Sequence, residues 1–168
     1  MKTIMRTSIY LPVAAILLMA ALASPIVAAP DNRVPFSGSM QGNEGGVLQG
    51  TPPSSLLVDG SGSGIATHLG RFTLTWSLTV TLADGTAIGS FRLIGANGDT
   101  IDTTIAGASE PTPTPGVYSI TEINTITGGT GRFTNAKGSF TMERLTDLNT
   151  GFTSGSFHGT ITSTGSAH

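Results

Sequence analysis

Cysteine is absent from the 168 residues, which excludes disulfides, thiolate metal sites and lipid attachment at a signal junction. Charge is sparse as well: Asp, Glu, Lys and Arg make up 11% of the chain, and no basic residues cluster. Nucleic acid and anionic lipid are therefore not expected partners. Only three histidines occur, His68, His158 and His168, with neither a His-x-x-x-His spacing nor an acid–histidine cluster. A metal site needs three or four convergent ligands, so none is expected. The nucleophile elbow Gly-x-Ser-x-Gly is missing too, since the nearest stretch, Gly60 to Gly64, carries Gly62 where the serine would stand. No segment shows a 3.6-residue apolar stripe, and no motif implies a cofactor.

The N-terminus has its own composition. Lys2 and Arg6 precede an apolar run from Ile9 to Ala23, followed by small residues at Ala28 and Ala29. This reads as a signal peptide over residues 1–29, cleaved after Ala23 or after Ala29. Cleavage after Ala23 satisfies the small-x-small rule, whereas cleavage after Ala29 leaves Pro30 first. An uncleaved anchor is the alternative, but Pro12 interrupts the run, and a span needs about 20 apolar residues. The expectation is a secreted or periplasmic protein with no stable membrane anchor. What remains, residues 30–168, is the size of one domain. Without Lys2 and Arg6 it holds six basic against ten acidic residues, a formal charge of −4.

Period-two alternation dominates the rest. From Phe72 to Leu82 every even position is large and apolar and every odd one carries a small hydroxyl, the pattern of a strand with one buried face. Turn chemistry follows at Ala83-Asp-Gly-Thr86, Ala96-Asn-Gly-Asp99 and Leu148-Asn-Thr-Gly151. Between these lie strands at Ala87–Gly95, Thr100–Ala106, Val117–Thr127, Ser139–Asp147 and Phe152–Thr162, with another at Val34–Met40. A short strand is expected at Ile65–Leu69. Residues 108–116, rich in proline, read as a flexible loop, as do residues 42–64, with at most one strand at Leu56–Val58. Seven or eight antiparallel strands in meander order predict an all-β barrel, with a β-sandwich as the alternative.

The densest signal is Gly128-Gly-Thr-Gly-Arg-Phe-Thr-Asn-Ala-Lys-Gly138. Its glycines point to a sharply bent connection between strands, with Phe133 as the one large side chain to anchor it. The pattern formed by Gly128, Gly129, Gly131, Phe133, Ala136 and Gly138 resembles the glycine-rich signature of plant dirigent proteins and allene oxide cyclases. The nearest likeness is to bacterial secreted proteins with an allene-oxide-cyclase-like barrel. This resemblance implies an eight-stranded antiparallel barrel, an apolar interior able to hold a hydrophobic molecule, and trimeric assembly. It carries no active-site residue across, because none of the plant enzymes' polar positions can be matched, and fold alone does not establish function.

Candidate site residues come from the strand faces. Glu122 shares a face with Tyr118 and Ile120; if that face lines the barrel, the carboxyl group could orient or protonate a ligand. The competing reading puts Glu122 outside or at a barrel mouth, paired with Arg92 or Arg144. Trp76 and Phe91 are core aromatics unless the barrel is open, in which case they join Tyr118 and Glu122 as ligand-binding residues. The hydroxyl face of Thr73, Thr75, Ser77, Thr79 and Thr81 could invite an ice- or carbohydrate-binding reading, but threonine is also simply a good strand former. Three functions follow: a barrel binding a small hydrophobic molecule, an isomerase or cyclase of the allene oxide cyclase or dirigent type, or a structural protein with a filled barrel.

Overall fold

The alternation read from Phe72 onward is a physical division of the chain into inside and outside. Phe72, Leu74, Trp76 and Leu78 are buried, while Thr73, Thr75, Ser77 and Thr79 face solvent. The computed structural model describes residues 32–162. Residues 1–29, expected as a signal peptide, and His168 lie outside the described residues.

Eight strands run in sequence order: β1 Arg33–Gln49, β2 Ser55–Ala66, β3 Gly70–Thr81, β4 Thr86–Gly95, β5 Thr100–Pro111, β6 Val117–Gly129, β7 Gly138–Asp147 and β8 Phe152–Thr162. Each pairs antiparallel with its neighbour, and β1 closes on β8 from Arg33↔Thr162 to Asn43↔Phe152. The protein is an all-β, closed eight-stranded antiparallel barrel. Closure gives every strand a partner on both sides, with only strand ends such as β1 beyond Asn43 paired on one side, and inward residues alternate with outward ones.

Residues 42–64, expected as a flexible loop, are instead the paired halves of a hairpin. Gly42↔Gly62, Glu44↔Gly60 and Val47↔Leu57 lie in continuous register, leaving only Gly50 to Ser54 as the turn. Glycine has a poor strand propensity, but Gly60, Gly62 and Gly64 each stand opposite a large inward side chain of β3. The space they leave is what admits Trp76, Leu74 and Phe72. The short strand expected at Ile65–Leu69 is absent: β2 ends at Ala66 and residues 67–69 form the turn into β3. The loop expected at 108–116 is likewise shorter, since β5 continues to Pro111, paired with Tyr118.

The barrel has two unlike ends. At one, Phe36, Phe140 and Phe157 pack with ring centroids 4.9 to 5.5 Å apart, and Phe72 lies 6.3 Å from Phe157. The glycine-rich connection covers this end. A register shift in β6 opposite Asp102 and Thr103 leads into one 3-10 turn, Gly131–Phe133, which buries Phe133 completely. Gly131 has φ +57°, and an added Cβ would strike the Asp99 carboxylate. That carboxylate instead accepts a 2.8 Å bond from Arg132, tying the turn to the β4–β5 connection. At the other end, where the β1–β2, β3–β4, β5–β6 and β7–β8 turns meet, the barrel is hollow.

Candidate functional site

A cavity of about 230 Å³ opens at this hollow end. Its walls are aliphatic: Leu56 and Val58 from β2, Leu78 and Val80 from β3, and Ile120 from β6. Tyr118 joins them, while Glu44, Glu122, Arg144 and Thr146 contribute polar groups.

Strand register explains how these groups meet. Glu44, Gly60 and Trp76 are cross-strand partners in one row over β1, β2 and β3. Because Gly60 has no side chain, the Trp76 indole lies across it, and its Nε1 donates to Glu44 Oε2 at 2.9 Å. A Cβ on Gly60 would collide with the indole ring. Glu122 stands opposite Gly107, and Arg144 opposite Gly155. Each charged side chain thus has a glycine for a cross-strand neighbour, which leaves room for it in a narrow barrel.

Arg144 is the hub. Its Nε and Nη2 donate to the two oxygens of Glu122 at 3.2 and 3.0 Å, a planar fork that matches a carboxylate. Its Nη1 donates to Glu44 Oε2 at 2.9 Å, to Thr146 Oγ1 at 2.9 Å and to Thr153 Oγ1 at 3.1 Å. The guanidinium carbon sits 5.9 Å from the Trp76 ring centroid. Side-chain exposure is 1% for Arg144, 0% for Glu122 and 7% for Glu44, so the Arg144–Glu122 pair is shut off from bulk water while Glu44 keeps a small exposed fraction. Burial by itself would lower the Arg144 pKa. The facing carboxylates of Glu122 and Glu44 outweigh it and hold the group above its ordinary value, so the guanidinium stays charged.

The hydroxyls beside it are committed as well. Thr146 donates to Thr153 at 2.9 Å, and Thr153 donates to the Leu145 carbonyl at 3.0 Å. One layer from Glu122 along β6, buried Asn124 accepts from Thr103 at 3.0 Å, while its Nδ2 has no partner. The oxygen Oε1 of Glu44 accepts no hydrogen bond from the protein and is not sealed off from accessible space.

Of the residues singled out from sequence, Tyr118 and Glu122 line the cavity. Glu122 lies wholly inside the barrel, not on its outer face, because even positions of β6 point inward from Tyr118 to Ile126. Its partner is Arg144; Arg92 is on the outer surface, 2.6 Å from Asp102. Trp76 and Phe91 do not line the cavity. Their rings meet edge to face at 5.8 Å and form a packed layer beside the ion cluster. The glycine-rich motif lies at the opposite, closed end, where Phe133 and Ala136 join the core. His68 is exposed in the β2–β3 turn and His158 is exposed on β8.

Sequence reasoning missed Glu44, Thr146 and Thr153, and met Arg144 only as a partner for Glu122. The available signal for Glu44 was its parity with Phe36 and Met40, which places all three on one face once β1 is taken to run through the glycines.

No protein-family model, curated protein or solved structure matches this chain.

Proposed function

We propose that this barrel is a secreted protein that binds a small, largely apolar molecule in its hollow end. The observation that carries the reading is the contrast between the two ends. One is filled by its own phenylalanines, whereas the other holds an aliphatic-walled cavity over a buried ion cluster. Ligand sites are concave, mostly apolar and furnished with a few placed polar groups, and this cavity has that composition. A buried ion pair is also a poor way to stabilise a fold, since desolvation offsets much of the Coulomb gain. A role toward a ligand gives Glu44, Glu122 and Arg144 a purpose that stability does not. Secretion is supported by the character of residues 1–29, and the barrel class by the glycine-rich likeness to dirigent proteins and allene oxide cyclases.

The test is native mass spectrometry of the protein recovered from cells expressing the full chain, followed by denaturation and analysis of what is released. A bound small organic molecule is expected. An empty protein that also takes up no added apolar compound would overturn the reading and favour a structural barrel.

A second reading draws on Tyr118, Glu122 and Arg144 sharing one cavity. A cyclase or isomerase that steers an intrinsically reactive substrate needs shape and a few polar contacts more than a catalytic triad. It predicts turnover of an unsaturated epoxide that is lost in Glu122→Gln; absence of turnover in the wild-type protein would remove it.

A further inference from the structure

Resting on the ligand-binding reading, we infer that the cavity selects molecules with a cationic, hydrogen-bond-donating head, a small alkyl- or arylalkylammonium, over carboxylates of the same body. What the cavity floor has left to offer a ligand decides the head group. Two carboxyl groups face one guanidinium, so the buried cluster carries a formal charge of −1. Arg144 Nε, Nη1 and Nη2 each already donate to Glu122, Glu44 or the threonines. The Trp76 indole proton goes to Glu44, and the Thr146 and Thr153 hydroxyl protons go to Thr153 and Leu145. Within the cluster the one side-chain oxygen or nitrogen that makes no hydrogen bond at all is an acceptor, Oε1 of Glu44, on a side chain 93% buried (7% exposed) at the cavity floor; Arg144 Nη2 keeps a single N–H beyond its bond to Glu122.

An anionic head would meet a floor of net negative formal charge whose bidentate guanidinium edge is held by Glu122, leaving it one Nη2 proton at most. Its desolvation would be poorly compensated there. An ammonium head restores neutrality and gives the idle oxygen a charge-assisted donor. The Tyr118 hydroxyl, donor and acceptor alike, suits either head. Size narrows the class further. An apolar cavity of about 150 Å³ accommodates benzene, so this one suits a ring or chain of about six to eight carbons. Leu56, Val58, Leu78 and Val80 supply the apolar wall for it. The acidic balance of the chain, ten acidic residues against eight basic, also favours approach of cations.

The experiment compares hexylammonium, 1-hexanol and hexanoate at pH 7, by calorimetry and by Trp76 emission, on the full-chain protein. Hexylammonium is expected to bind on the order of tenfold tighter than hexanoate, with hexanol between them. Glu44→Gln should collapse that gap, and Val80→Trp, which fills the cavity from its wall, should abolish all three signals. The wild-type ranking decides the proposal even if a variant fails to fold. Hexanoate binding as well as or better than hexylammonium overturns the charge selection while leaving ligand binding intact. No binding of any of the three at millimolar concentration overturns the ligand-binding reading and this proposal with it.

Discussion

Without Arg144, Glu122 would be a buried carboxylate facing no positive charge, and Glu44 would keep only the indole of Trp76. Removing one partner of a buried pair costs about 3–5 kcal/mol, far more than removing both. Arg144→Met is therefore expected to lower unfolding stability by about that amount in urea titration, with part of the loss recovered by adding Glu122→Gln. A loss under about 1 kcal/mol for the single variant would mean that water reaches the cluster. The same residues show how far the sequence could be read. Glu122 was visible as an acid inside a strand, and its face was correctly shared with Tyr118. Its burial was not visible, because strand-face carboxylates are normally solvated and nothing local reveals that Gly107 makes room for one. Glu44 was hidden further, since a glutamate among glycines has the composition of a linker.

Elements differ in how much of their cause is local. β3 was legible over nearly its whole length, from Phe72 to Thr81, because its alternation is strict. β1 and β2 were not, because their glycines are explained only by the large side chains of other strands opposite them. The tetrapeptide Gly-Arg-Phe-Thr makes the point directly: at Gly70 it opens β3, and at Gly131 it forms the 3-10 turn. What the two copies share is a buried phenylalanine at the same closed end, Phe72 and Phe133. Phe133→Ala, which unplugs that end, is expected to cost about 3–5 kcal/mol in urea unfolding. A loss under about 1 kcal/mol would show that the glycine turn holds without its anchor.

The turns also set the acid behaviour. The Thr86 backbone N–H holds Asp84 below the usual carboxylate range, the Arg132 guanidinium does so for Asp99, and the Asn149 backbone N–H for Asp147. Native values depressed below the unfolded value of about 3.9 stabilise the fold above that pH, and the contribution is lost as pH falls through the native values. Stability from these groups should thus be level from pH 7 to 5 and decline below about pH 4. Asp99→Asn and Asp147→Asn are expected to flatten that decline in unfolding midpoints measured against pH. An unchanged acid limb in both would show that other carboxylates control it.

At the scale of the whole molecule, the barrel combines a filled half with a hollow one. The class of fold was legible from alternation and turn spacing, because those constraints repeat on nearly every strand. The division into two halves was not, since it depends on which large residues meet across the lumen, and that follows from closure and register. The central claim is that the hollow half is a binding site, and amide and indole chemical-shift mapping with hexylammonium tests it most directly. Shifts confined to the Trp76 indole, Glu44, Tyr118 and the wall strands β2 and β3 are the predicted result. Saturable shifts confined to the outer threonine face, or none at all, would contradict it.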